Sequence, residues 1–331
     1  MSKKQLVIDA FNNKATDRVP VGFWFHFADE KDFSEGLKTP AVIETNFNGH
    51  LKFFDEFSPD FIKLMSDGFF GYPNEQLQNI TSISGLKDIQ PVGADHPWIT
   101  QQVAHVRRLT NAFGSDIATF YNIFAPATYL KFALGRPVGN TRIADFITQD
   151  KEALAHVLDV IAQDLAVLSQ RVIKEGGADG IYLSVQNVQD SRVTPELYRE
   201  IIAPSEIKVL NAANAANDLN ILHICGYKGS RNDLSLYTDY SAKVINWAVV
   251  VEGISLAEGK RLFGGRAVIG GFDNTVDGVL YAGSKEEVEQ ETEKLIAEAG
   301  KTGVILGADC TIPSDIALER LNWVRSKAAA L

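Results

Sequence analysis

Short apolar runs alternate with longer amphipathic stretches over the whole chain, a pattern that points to βα units and a mainly parallel sheet. Apolar runs over residues 19–27, 61–65, 117–124, 180–185, 220–224, 244–249, 267–269 and 303–306 predict eight strands. Helical periodicity falls near 3–13, 41–57, 98–113, 151–175, 195–217, 256–263, 284–300 and 314–328. Local signals agree with these ends. Gly176-Gly177 can stop the helix before them, Pro195 suits a first helical position, and Ser284 with Glu287 makes a capping box. Eight such units favour an α/β fold closed as one (β/α)8 barrel over a doubly wound sheet. The expected barrel occupies 1–331 as a single domain with an N-terminal helix. One stretch breaks the alternation: residues 69–97, after the second strand, are rich in Gly, Pro and Asn. That extended segment is too long for an ordinary connection and is expected to cover or line a site.

Composition narrows the partners. With 331 residues, 45% of them apolar and 22% charged, the chain can build a large core and is not generally disordered. A net charge of −10 disfavours nucleic acid or an anionic membrane as the main partner and favours small molecules. Lys3 and Lys4 lead into an amphipathic stretch containing Asp9 rather than a signal peptide's apolar segment. No apolar run approaches the length of a membrane span, so a cytoplasmic protein is expected. Cys225 and Cys310 are the only cysteines, too few for a disulfide framework in so long a chain, which gives metal-binding or reactive roles more weight.

In barrels of this kind, side chains at the C-terminal ends of the strands face the active site. The polar candidates there are His26, Asp67, Asn122, Gln186, His223 with Cys225, Trp247, Asp273, and Asp309 with Cys310. His223 and Cys225 stand two apart at the end of one strand, so both can grip one ion from the same side. Cys310 ends another apolar run far downstream, too distant in sequence for a zinc finger and reachable only through barrel closure. Spacing alone leaves two readings. Free cysteines are among the most buried residue types, so both can be small core residues; their joint placement at strand ends favours a metal. Two thiolates and an imidazole would leave zinc an open position, able to hold an incoming thiol as its thiolate, and the natural reaction is alkyl transfer to sulfur. Asp67 can accept hydrogen bonds, serve as a base, or simply cap a turn. His26 can be a plain rim histidine, and Gln186 suits either polar recognition or loop hydrogen bonding. Asp273 follows Gly270-Gly271, where missing side chains permit close approach of a ligand. No P-loop, dinucleotide-binding glycine motif, H-E-x-x-H or serine elbow occurs.

Several segments together resemble the uroporphyrinogen decarboxylase superfamily, whose fold is a TIM barrel. They are Ala15-Thr16-Asp17-Arg18-Val19-Pro20-Val21, Ser66-Asp67, Thr128-Tyr129, Thr194-Pro195-Glu196-Leu197-Tyr198 with Ala203-Pro204, Leu222-His223-Ile224-Cys225-Gly226, Gly270-Gly271-Phe272-Asp273 and Cys310-Thr311-Ile312-Pro313. In the decarboxylases proper, the resemblance makes Asp67 the binder of pyrrole N–H groups and Tyr129 a cleft residue. Those enzymes also carry an arginine-rich segment ending in Gly-Arg-Tyr, whereas residues 23–30 here contain no arginine, and their Gly-His-Gly is replaced by Ala308-Asp309-Cys310. A substrate with eight carboxylates needs cations.

The other branch comprises zinc methyltransferases that move a methyl group from a corrinoid protein to a thiol such as coenzyme M. Its pattern, His-x-Cys followed much later by Cys in a Cys-x-Ile-Pro context, is met by His223, Cys225 and Cys310. This resemblance implies zinc on those three residues, with Glu252, Asp273 or the substrate as fourth ligand, a corrinoid carried by a partner protein, and a small thiol substrate. Asp67 is expected to act in catalysis, and His26, Tyr129, Gln186 and Asp273 in substrate binding. The rival expectations are a cofactor-free tetrapyrrole decarboxylase working through Asp67 and a non-catalytic barrel that binds a corrinoid or another small molecule.

Overall fold

Seven of the eight apolar runs form strands, each hydrogen-bonded in parallel to the next in chain order: β1 (Phe61–Leu64), β2 (Ala118–Phe124), β3 (Gly180–Val185), β4 (Ile221–Ile224), β5 (Val244–Trp247), β6 (Ala267–Phe272) and β7 (Val304–Ala308). The structure, a computed structural model, describes residues 2–78, 80–135 and 138–331. Helices surround the sheet, as parallel crossover connections require. The strand expected over 19–27 is reduced to one bridge, Val21 with Leu306. The physical reason is local: Pro20 has no N–H, and the Val21 N–H donates to the Asp60 carboxylate at 2.8 Å instead of to a strand. The segment still closes the ring. Leu306 donates to Pro20 and Gly22 donates to Leu306 on one side, while Asp60 N–H donates to Val21 on the other. Gly22 is needed there, because a Cβ would lie 2.3 Å from the Phe61 ring.

Alternate residues of the strands fill the barrel. Phe61 and Met65 of the first strand region join Trp24, Ala118, Phe120, Tyr182, Ile221, Val244, Ala267, Ile269 and Ile305 in one buried cluster. The N-terminal helix Lys3–Phe11 plugs its floor with Val7, Ala10 and Phe11, the last stacked on Phe120 at 5.2 Å. With the N-terminal rim sealed, chemistry is left to the C-terminal rim.

Two helices differ from the periodicity in instructive ways. The helix expected over 151–175 extends back to Gly139–Lys174, broken at Asp150, whose carboxylate accepts the Ala153 N–H at 3.0 Å and so caps the second half. The helix expected from Pro195 is interrupted by a π turn, Tyr198–Ile202, which adjoins Pro204 and its missing backbone donor. The extended segment after β1 folds into short 3-10 turns and is pinned to the long helix. Buried Asp164 accepts from Tyr72 at 2.5 Å, from Val92 N–H at 2.8 Å and from Gly93 N–H at 3.0 Å. No helix of the described residues is long and apolar enough to cross a membrane.

Candidate metal centre

His223 is the third residue of β4, and Cys225 continues past the strand with its N–H donating to Val185 at 2.9 Å. Cys310 stands two residues beyond β7, after Asp309 has extended that ladder by donating to Phe272 at 2.8 Å. Barrel curvature brings the three together. The sulfurs are 3.8 Å apart, Cys310 Sγ is 3.5 Å from His223 Nε2, and all three donor atoms lie within 4.8 Å of one another. Two sulfurs and an imidazole nitrogen are soft donors suited to zinc, and three protein ligands leave a position open.

The histidine tautomer is set from behind. Asn246, the register partner of His223 on β5, donates from Nδ2 to the carbonyls of Ile269 at 2.9 Å and Ala308 at 3.3 Å. Its Oδ1 must therefore accept, and it takes the His223 Nδ1–H at 2.5 Å as well as the Tyr182 hydroxyl at 3.0 Å. Nε2 is left as the bare nitrogen, facing the sulfurs, which is what a metal ligand requires. The thiols are themselves polarised. The hydrogen bond between the sulfurs, with Lys63 nearby, holds the Cys310 thiol well below its usual range, while the same bond and burial push Cys225 up.

The remaining expected residues divide by what they touch. Asp67 is buried with both oxygens taken: Oδ1 by His26 Nδ1 at 2.7 Å, Oδ2 by the N–H groups of Phe27 at 2.7 Å and Ala28 at 3.2 Å. Burial pushes its pKa up, but His26 and those two donors outweigh it and hold the carboxylate below the ordinary range. His26 lines a cavity of about 520 Å³ with Phe27, Asn48, Lys52 and Ser314. Gln186 donates to the Cys225 carbonyl at 3.1 Å and accepts from Lys131 at 2.9 Å, so it holds the cysteine's backbone. Tyr129 is buried among Trp98, Phe124 and Phe132 rather than open to the mouth. Asp273 caps its own turn by accepting from Thr275 N–H at 2.8 Å.

Neither Asp273 nor Glu252 belongs to the three-donor group found among the described residues. Glu252 instead accepts from Asn232, whose side chain also donates to the Cys225 carbonyl. Gly270 and Gly271 serve backbone shape rather than an open approach: their φ values are +139° and +109°, with Asn246, Leu256 and Leu295 packed against them. Trp247 faces the helix layer, donating to Ile254, while its neighbour Asn246 points inward. Asp309, beside Cys310, accepts from Val250 N–H, and burial pushes its pKa up to about 7.

Three residues close to the site were not singled out by the sequence: Asn246, Asn232 and Lys63. Lys63 did leave a signal, a single lysine inside the apolar run Phe61-Ile62-Lys63-Leu64-Met65. Burial lowers its pKa to about 8, against an upward pull from Cys310, Cys225 and Asp67.

The sequence profile of the family described as Uroporphyrinogen decarboxylase (URO-D) matches residues 72–330. The chain belongs to that family. Within reach of the same sequence lies Methylcobamide:CoM methyltransferase MtbA of Methanosarcina mazei, 21% identical over 242 residues, which cover 73% of this chain and 67% of that protein. A solved methyltransferase from Methanosarcina mazei superposes with a TM-score of 0.71 over 100% of this chain and 99% of its own, at 14% identity. A B12-independent methionine synthase from Shewanella sp. W3-18-1 superposes at 0.52, covering 95% and 97% of the two chains at 12% identity. These likenesses establish the uroporphyrinogen decarboxylase type of barrel as the fold.

Proposed function

We propose that the chain is a zinc-dependent methyltransferase that passes a methyl group from a corrinoid donor, carried by a partner protein, to a small thiol. One observation carries the reading: His223 Nε2, Cys225 Sγ and Cys310 Sγ converge within 4.8 Å, with Nδ1 of the histidine locked away by Asn246. Zinc in that group supplies a Lewis-acid position at which a thiol is held as its thiolate at neutral pH. The protein's own residues do the rest. Cys225 and Cys310 give up their protons, Asn246 keeps the imidazole turned, and Gln186 with Asn232 holds the Cys225 backbone. The His26–Asp67 couple is the acid–base pair assigned here to the acceptor's proton, because Asp67 holds Nδ1 and Nε2 meets no partner among the described residues. A relative named for methylcobamide and CoM supports this choice of donor and acceptor.

Two observations weigh against the decarboxylase reading. Residues 23–30 offer no arginine to a polycarboxylate, and both oxygens of Asp67 are already engaged. The test is to incubate metal-replete protein with methylcobalamin and a panel of small thiols, following loss of the methyl–cobalt absorbance and appearance of S-methyl product. Metal-dependent product is expected. Turnover of uroporphyrinogen by metal-stripped protein, with no methyl transfer, would contradict the proposal.

A further inference from the structure

Lys63 lies between Phe61 and Met65, with which it shares the inward face of its strand. It is 4% exposed, and its ammonium sits 5.0 Å from the centre of the Trp24 ring and 4.1 Å from that of Tyr182. Tyr182 in turn packs on His223, ring centres 5.9 Å apart, and donates to Asn246. The lysine thus occupies the barrel layer next to the three-donor group. Among the described residues its ammonium meets two aromatic faces and neither an ion pair nor a hydrogen-bond acceptor.

An ammonium held on two aromatic faces in a nearly closed barrel layer is favoured by nearby negative charge. The groups near it that can carry negative charge are the Cys225 and Cys310 thiols and Asp67. Asp67 is already hydrogen-bonded on both oxygens by His26 and two backbone donors. The two thiolates are matched by a divalent ion, and the group is then neutral overall. An anionic acceptor added to it brings a new negative charge to the metal group for Lys63 to balance.

We infer that Lys63 is the charge-compensating floor of the site, its ammonium stabilising an acceptor bound there as an anion. The inference rests on the zinc-and-thiol reading above. Its test uses the full chain loaded with cobalt(II), whose sulfur charge-transfer bands report thiolate binding, with 2-mercaptoethanol as the probe. Lys63→Met is expected to keep its cobalt and to bind the probe roughly ten- to a hundredfold more weakly.

The metal-free Lys63→Met protein is expected to unfold at the same or a higher temperature than wild type, because an apolar side chain replaces an uncompensated charge. A lysine with a merely structural role would lower that temperature and leave probe binding alone. Lys63→Gln, a second neutral variant, is expected to show the same loss of binding should the methionine variant fail to fold. Equal probe affinity in wild type and either folded variant overturns the inference and leaves the zinc-and-thiol reading standing. A wild type that takes up cobalt yet gives no new sulfur band with the probe overturns that reading and the inference with it.

Discussion

His223 can bind a metal through one nitrogen only, because Asn246 spends its two amide protons on carbonyls and has just its oxygen to offer. Asn246→Leu should therefore keep the fold and weaken zinc binding about 10- to 100-fold, read by competition with a chromogenic chelator; unchanged affinity would mean the histidine does not depend on its partner. Asp67 yields a prediction with a definite sign. Its folded pKa is depressed, so its stabilising contribution is present above the unfolded value of about 3.9 and is lost as pH falls through the folded value. Asp67→Asn is expected to cost about 3 kcal/mol at pH 7 in urea melts, with the gap to wild type narrowing toward acid. If the couple also handles the acceptor's proton, His26→Gln lowers methyl transfer about a hundredfold with no loss of bound zinc. Loss of zinc in that variant would give His26 a structural part instead.

At the scale of elements, the barrel sets the three candidate donors on strand ends while polar networks in the outer layer hold the connecting loops. One of these starts at Glu206, fully buried and accepting from the hydroxyls of Tyr198 at 2.9 Å and Tyr240 at 2.5 Å. It passes from Tyr198 to Tyr237 and Asn187, and Asn187 N–H donates to Asn232, which touches the Cys225 carbonyl. Burial raises the Glu206 carboxyl to about 7. The folded protein therefore holds a proton that the unfolded chain releases near pH 4, and stability falls as pH rises from there through 7. Glu206→Gln should remove about 2–3 kcal/mol of that pH-dependent loss, seen in melts at pH 5 and pH 8. A parallel decline in the variant would assign the trend to another group. A second anchor is Asp164. Asp164→Asn is expected to speed hydrogen exchange at the Val92 and Gly93 amides while leaving the strands protected, because those two amides donate to its carboxylate.

The whole molecule shows which parts of this design a sequence can carry. Seven strands and most helix ends were legible because period-2 and period-3.6 patterns, glycine stops and capping boxes are local. The strand over 19–27 was not, since its apolar pattern survives while Pro20 and the Asp60 carboxylate take its hydrogen bonds elsewhere. The meeting of His223, Cys225 and Cys310 was legible, through their residue types and strand-end positions. Asn246 and Lys63 were hidden, because their importance lies in which layer of a closed barrel they reach. Trp247 drew attention that belonged to Asn246, one residue earlier on the opposite face.

Everything proposed for this member of the family turns on whether three distant residues grip one ion. The direct measurement is metal content by mass spectrometry of protein expressed and purified in the presence of zinc, beside Cys225→Ser and Cys310→Ser. About one zinc per wild-type chain is expected, with most of it lost in either variant. Less than about half an equivalent in the wild type, with no fall in the variants, would contradict it.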